Sequence, residues 1–409
     1  VVPFLICFGA YAFSQLDLAL FAYALPAIRK DWAVSLTLIG AVISLAYVLG
    51  GIIQVWMGHL TDRYGRRFIL MLSTVLSSVF VALHALATGP LFLGLVRAGA
   101  IGTGGAIYPS SGAMVAEVAP ARFRGLYAGM LQTAYPFGWF LASLIAAPIL
   151  IAFGWRAVFL VALLSIPYVL LIRRHLPESR RFQTQAAAAA KPSLRDSLAV
   201  MLSPGLRRRT LTLFCAQLMF VTAYGGSSFL LPTYFVEHRE MTTATAAYIV
   251  GIGNAISILG YVSAALIGEF VLTRRTTVSL FTILGALGFV AMLWLPTGVT
   301  DTLFLFGVMS IFFYGTAAVK FAFVAEIFPT ALRATALAVC GSLAVNLGIA
   351  AGPLLVAAGV DQFGWQWALT VVVAVPLIFS GLLYLLLEPV PSGLEVEDIE
   401  KHLARGSAQ

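Results

Sequence analysis

Residues 58–67 read GHLTDRYGRR, between LIGAVISLAYVLGGIIQVWM (38–57) and FILMLSTVLSSVFVALHALA (68–87), two stretches without Lys, Arg, Asp or Glu. A helix rises about 1.5 Å per residue, so about twenty residues cross the ~30 Å hydrocarbon layer of a bilayer. Each flank therefore has the length of a membrane span. The charges of Asp62, Arg63, Arg66 and Arg67 mark the point where the chain leaves the apolar layer and turns back into it.

The same alternation recurs outward in both directions. Of 409 residues, 60% are hydrophobic and 10% charged, and the mean hydropathy is +0.96. A soluble domain with so few charges could not cover its surface. Apolar runs near 3–28, 34–57, 68–87, 90–114, 126–150, 155–172, 210–236, 245–268, 277–296, 301–325, 335–359 and 365–387 predict an all-α membrane protein with twelve transmembrane helices. No cleavable signal peptide is expected, because Val1 already stands at the edge of the first run and no small-residue cleavage site follows. Cys7, Cys215 and Cys340 all fall in apolar runs, where thiols act as small core residues. Neither a disulfide, a metal site nor a cofactor is expected.

A net charge of +8 raises the question of nucleic acid, and its distribution answers against it. Lys and Arg concentrate between runs two and three, four and five, six and seven, and eight and nine, and in the tail. The opposite loops hold only Arg29, Lys30, Arg156 and Arg239. The positive-inside rule then puts the rich loops and both termini in the cytoplasm, with a bacterial inner membrane as the expected location.

An internal comparison gives the organisation. VAEVAPARFRG at 115–125 returns as VAEIFPTALRA at 324–334, matching Glu117, Pro120 and Arg124 with Glu326, Pro329 and Arg333; FGWRAVF at 153–159 returns as FGWQWAL at 363–369. The chain reads as two six-helix pseudo-repeats, 1–174 and 210–388. Between them, 175–209 reads as a cytoplasmic linker with amphipathic helices, and 389–409 as a solvated tail.

Parallel six-span repeats are one architecture of secondary transporters, with the substrate held between the halves. On this background GHLTDRYGRR resembles the signature between helices two and three of the major facilitator superfamily, with Gly58, Asp62, Arg63, Gly65, Arg66 and Arg67 at that spacing. The resemblance extends over the chain in helix count, central loop and the PES at 177–179. It implies a gate in which Gly58 permits close helix approach, Asp62 caps or pairs, and Gly65 makes a tight turn. Glu117, Arg124, Glu326 and Arg333 are expected to join it. The second-half counterpart GEFVLTRRT (268–276) keeps Gly268, Arg274 and Arg275 and has no acid at the position of Asp62. The alternative reading of the motif is a topogenic stop signal alone.

Ionisable side chains inside spans cost about 2.5–3.5 kcal/mol each on insertion scales, so each is a functional candidate. Three stand out. Asp17 is mid-span in helix one and suits reversible protonation; an acid there also looks like what aromatic-acid/proton symporters and nicotinate-type carriers of the superfamily display. Arg97, in GLVRAGAIGTGGA, resembles the superfamily's helix-four arginine followed by glycines, though its glycines stand five, seven and eight residues on; snorkelling from the span end is its alternative. Lys320 matches Ser111 by the repeat, so symmetry does not demand a cation there. It either snorkels or presents an ammonium to an anionic substrate or to Asp17.

Polar and aromatic side chains supply the rest of an expected binding site: Tyr11, Gln15, Gln132, Tyr135, Gln217, Tyr224, Asn254, Tyr314 and Asn346. Each can equally be interhelical glue. GIAAGPLL (348–355) looks like the superfamily's antiporter motif displaced from helix five to helix eleven, which favours symport over antiport. The expectation is a monomeric secondary transporter, related in look to aromatic-acid, nicotinate-type and sugar-porter-like carriers. It would move a small organic anion, aromatic or another monocarboxylate, with protons by alternating access. A neutral or cationic solute, or a non-transporting sensor, is the alternative. No nucleophile–base pair, metal cluster or phosphate loop suggests an enzyme.

Overall fold

The structure, a computed structural model, describes residues 2–120, 124–178, 199–328 and 332–388; of Asp62, Arg124, Glu326 and Arg333 it describes the backbone alone. The expected linker helices and tail fall largely in 179–198 and 389–409, outside the described residues.

The helices are α1 (Val2–Trp32), α2 (Leu36–Tyr64), α3 (Arg66–Leu83) and α4 (Pro90–Gly104 continued by Ile107–Val118). Then comes Tyr127–His175, 49 residues of apolar helix. Straight, it would be about 73 Å long, more than twice the hydrocarbon layer. It turns back at Gly154, whose φ of 76° and ψ of 178° lie in a region open to glycine. We call its arms α5 (124–153) and α6 (155–175). The second half follows as α7 (Pro204–Ser228 with Leu231–Glu237, bent by 42°), α8 (Thr243–Phe270), α9 (Arg274–Trp294), α10 (Val299–Gly315 with Ala317–Glu326), α11 (from Arg333, through a π-helical Leu337–Leu343, to Phe363) and α12 (Trp365–Leu385). Gly364, with φ 77° and ψ 170°, repeats the Gly154 turn. The interruptions of α4 and α10 also fall at matching places in the two halves.

Local signals set the helix starts. The hydroxyls of Ser35, Thr242 and Thr273 accept from the backbone N–H three residues on and cap α2, α8 and α9. At Gly65, with φ 93°, the chain passes from α2 into α3 in one residue. Large apolar side chains such as Val55, Trp56, Phe153 and Phe270 point outward, exposed, as befits a surface solvated by lipid tails.

The halves meet along α1–α7, α2–α11 and α5–α8. In the last seam a Cβ at Gly251 would lie 1.8 Å from Ser143 Oγ, so only glycine allows that approach. GIAAGPLL has a packing role: a Cβ at Gly352 would stand 2.3 Å from the Thr222 carbonyl oxygen, which brings α11 and α7 backbone to backbone.

Three expectations change. The helix α7 begins at Pro204, so Arg209 belongs to the second half and not to the linker; it is 8% exposed, donates to the Ile327 carbonyl at 2.9 Å and pairs with Glu388. Cys215 is exposed, while Cys7 and Cys340 are buried. Gly58 makes no close approach, since a Cβ there would meet nothing within 4 Å.

Candidate substrate and coupling site

Tyrosines from both halves converge where the seams cross. The Tyr135 hydroxyl of α5 hydrogen-bonds the Tyr224 hydroxyl of α7. On the first-half side, Tyr11 donates to Gln132 Oε1 at 3.4 Å and its ring lies 6.5 Å from Tyr135. On the second-half side, the Tyr224 ring is 5.8 Å from Tyr314. The structure thus brings together Tyr11, Gln132, Tyr135, Tyr224 and Tyr314. It adds Tyr108, which accepts from Gln132 Nε2 at 2.9 Å and lies 4.9 Å from the Tyr11 ring. The break in α4 just before Ile107 sets the register of Tyr108, and no sequence spacing links it to Gln132, 24 residues away.

Four amide side chains expected in the same place divide. Gln15 is nearby on α1, with Oε1 buried and unpartnered among the described residues. Gln217 turns to α12, accepting from the Tyr384 hydroxyl at 3.1 Å. Asn254 donates to its own helix at Val250 O, 2.8 Å away. Asn346 crosses the α2–α11 seam to Gln54 Oε1 at 3.1 Å, away from the tyrosines.

Lys320 does not snorkel. It is 3% exposed, and its Nζ lies 3.5 Å from the centroid of the Phe220 ring on α7, a cation–π contact. Phe220 touches Phe313 at 5.4 Å, and Phe313 stacks on Tyr314 at 5.1 Å. Among the described residues no carboxylate comes within ion-pair distance of Lys320. Two rings, Phe220 and Phe313, lie between the ammonium and the tyrosine cluster, and it does not pair with Asp17.

Asp17 and Arg97 lie inside the first half. Asp17 is 4% exposed; Oδ2 accepts from Ser78 Oγ at 3.3 Å, and Oδ1 is buried without a partner among the described residues. Ser78 in turn touches Ser165 of α6. Arg97 is 1% exposed, which removes snorkelling. Its Cζ lies 4.3 Å over the Phe21 ring, and Nη2 donates to the Leu18 carbonyl at 3.4 Å. No contact ion pair joins Arg97 to Asp17, although the Leu18 carbonyl that it reaches is on the next residue. The serines that hold Asp17 come from α3 and α6, and nothing in the sequence around Asp17 points to them.

At the end that carries the opening motif, the basic face, the ion pairs among the described side chains lie within each half. Arg66 pairs with Glu117 of α4. Glu178, from the PES, accepts from the backbone N–H of Arg66 and Arg67 at 3.0 and 3.1 Å and caps α3. Arg67 donates to the Arg173 carbonyl at the end of α6; in the second half Arg275 donates to the Leu387 carbonyl at the end of α12, 2.9 Å away. Arg274 pairs with Glu269 at 2.6 Å. Arg63 lies 5.3 Å from the Tyr64 ring. Glu117 thus joins the motif through Arg66. At the opposite face the contacts cross between halves: Arg29 pairs with Glu237, and Thr37 donates to Asp361.

Comparison with known proteins agrees with this architecture. The chain is 27% identical over 354 residues to the probable 4-methylmuconolactone transporter of Cupriavidus pinatubonensis, covering 85% of this chain and 80% of that protein. It is 27% identical over 355 residues to the cis,cis-muconate transport protein of Acinetobacter baylyi, covering 82% of each. Among solved structures, the D-xylose-proton symporter superposes with a TM-score of 0.69 at 21% identity, over 95% of this chain and 97% of that one, and shares its fold. The Major Facilitator Superfamily model matches residues 7–319 and 268–405. A twelve-helix chain of two repeats, closed around a polar and aromatic centre and matched over nearly its whole length, belongs to the Major Facilitator Superfamily and is an integral membrane transporter, not an enzyme.

Proposed function

We propose that the protein is a proton symporter for a small ring-bearing or otherwise unsaturated monocarboxylate, working as a monomer by alternating access. Its basic face lies in the cytoplasm of a bacterial inner membrane. The observation that carries the reading is Lys320: a buried ammonium without a carboxylate partner among the described residues, joined to a cluster of tyrosines through two touching phenyl rings, Phe220 and Phe313. A carboxylate arriving there meets an uncompensated cation, while the rings of Tyr11, Tyr135, Tyr224 and Tyr314 offer π-faces and edges to the rest of the solute. The names of the relatives, carriers of muconate, which is a dicarboxylate, and of methylmuconolactone, support an unsaturated organic anion.

Asp17 is the proton carrier in this reading. One of its oxygens is unpartnered in a buried site, so protonation relieves a charge that the surroundings barely solvate. Arg97, close enough to act on that charge but not bonded to it, biases the exchange. The two halves rock about the bound solute, and Asp62, Arg63, Gly65, Arg66 and Arg67 with Glu117, Arg124, Glu326 and Arg333 gate the cytoplasmic side.

The deciding experiment measures binding of benzoate, nicotinate and cis,cis-muconate to purified protein and then to Lys320→Gln. The variant should bind the best anion at least tenfold more weakly, a loss of about 1.4 kcal/mol. Lys320→Arg should retain part of the affinity, because the planar fork demands other geometry. Equal affinity in the Gln variant would replace this reading with a neutral or cationic solute. For the proton, Asp17→Asn in proteoliposomes should abolish uptake driven by a pH gradient and spare solute exchange.

A further inference from the structure

We infer that His84 is a second berth for the Arg97 guanidinium, taken up when Asp17 is protonated; this rests on the proton-coupling role of Asp17 proposed above. His84 ends α3 and is fully buried. Its Nδ1 lies 2.9 Å from the Phe80 carbonyl oxygen and 3.0 Å from that of Val81. Carbonyl oxygens only accept, so Nδ1 carries the proton and Nε2 of the neutral ring is a lone pair. That atom is buried and has no partner among the described residues.

The complementary atom is close by. The Arg97 Nε–H is also buried without a partner among the described residues. Both groups lie against one side chain: the guanidinium carbon is 4.3 Å from the Phe21 ring centroid, and the imidazole is 6.0 Å from it. Phe159 of α6 stacks on the imidazole at 4.9 Å and fixes its plane. An acceptor without a donor and a donor without an acceptor around one phenyl ring are costly when buried. A rotation of the arginine side chain around that ring would bring the two together.

The ionisable groups around His84 are few. From α4 Arg97 shares the Phe21 ring with it; around that guanidinium lie Asp17 on α1 and Tyr47 on α2, whose hydroxyl is its hydrogen-bond partner. On its own helix Ser78 is the link to Asp17, and α6 contributes Phe159 and Ser165, which are uncharged. While Asp17 is ionised, Coulomb attraction holds the guanidinium on its side of Phe21. Once Asp17 is protonated, that attraction ends, and the His84 lone pair is an unpartnered acceptor beside the same ring for the Arg97 Nε–H, while the Leu18 carbonyl and Tyr47 keep the other guanidinium nitrogens. The Asp17 O–H forms as one O–H of a hydronium ion breaks, leaving water, and no other covalent bond changes.

His84→Asn and His84→Gln separate the two nitrogens. The Asn amide nitrogen keeps the donor at the Nδ1 place and removes the acceptor, while the Gln carbonyl places an acceptor near Nε2. Losing the berth penalises only the state with Asp17 protonated. In proteoliposomes His84→Asn and His84→Phe should therefore move the pH midpoint of gradient-driven uptake down by about one unit and reduce that uptake about fivefold, with solute exchange within twofold of wild type. His84→Gln should restore the midpoint. If Asp17→Asn abolishes gradient-driven uptake but both His84→Asn and His84→Phe keep the wild-type midpoint, the berth is wrong and the coupling stands. If Asp17→Asn leaves gradient-driven uptake intact, the coupling itself is wrong. A readout that leaves His84 in place is the Nε2 resonance of ¹⁵N-histidine-labelled protein. In Asp17→Asn, which mimics the protonated acid, it should move towards hydrogen-bonded values relative to wild type at high pH, and an unmoved resonance overturns the inference.

Discussion

The two ends of the molecule use charge in different ways. At the basic face, Arg66–Glu117, Arg274–Glu269 and Arg209–Glu388 each join elements of one half. At the opposite face, Arg29–Glu237 and Thr37–Asp361 join one half to the other. Pairs of the first kind can persist whichever way the halves tilt. Pairs of the second kind must break whenever the opposite face parts, so they bear directly on the equilibrium between shapes. In the conformation described, the clasp is on the opposite side from the motif that dominates the sequence.

Tying the clasp should have the largest effect. With Arg29→Cys and Glu237→Cys in a Cys215→Ser background, which removes the exposed native thiol, a bifunctional thiol reagent should lower transport at least tenfold. The same treatment of Arg66→Cys with Glu117→Cys should cost no more than the two substitutions alone, because it ties a half to itself. Transport that survives the first cross-link would mean that the opposite face need not open.

Loosening the clasp is gentler. The Arg29 and Glu237 side chains are 15% and 33% exposed, and a partly solvated pair is worth about 0.2–1 kcal/mol. Glu237→Gln should raise the population open at the opposite face by up to about fivefold, read as longer distances between spin labels at the outer ends of α1 and α7. Glu117→Gln should leave those distances unchanged and lower thermal stability by about 1 kcal/mol. A matching shift from both variants would erase the contrast between the ends.

Gly58→Ala should have the smallest effect. Its surroundings are open, and replacing a helical glycine by alanine contributes roughly 0.5–1 kcal/mol, so a slight gain in melting temperature with wild-type transport is expected. Lost transport would assign Gly58 a close approach in another stage of the cycle.

Spans, repeat and turn points were legible in the sequence because each rests on short-range chemistry: the length of an apolar run, the return of FGW, a charge cluster at a membrane boundary. Side-chain direction was not. In water a helix shows which face is buried by the contrast between apolar and polar sides, but in lipid the buried and outer faces are both apolar, and that contrast fades. Tyr135 and Tyr224 were therefore identifiable as candidates, whereas Gln217 looked the same in sequence and turns to α12. The partners of Glu178 and Arg66 lie 112 and 51 residues away, beyond any local pattern. Lys320 was visible as an anomaly; the Phe220 ring beneath it was not.

The turns at Gly154 and Gly364 bear on how the chain is made. Each joins two apolar helices through a single residue, too short a connection for one arm to wait in water while the other crosses. During synthesis α5 with α6, and α11 with α12, must enter the bilayer as hairpins, the second arm following before the first has settled. A side chain with a Cβ at either glycine would then do its damage at insertion, as misoriented or degraded protein, before any question of transport arises.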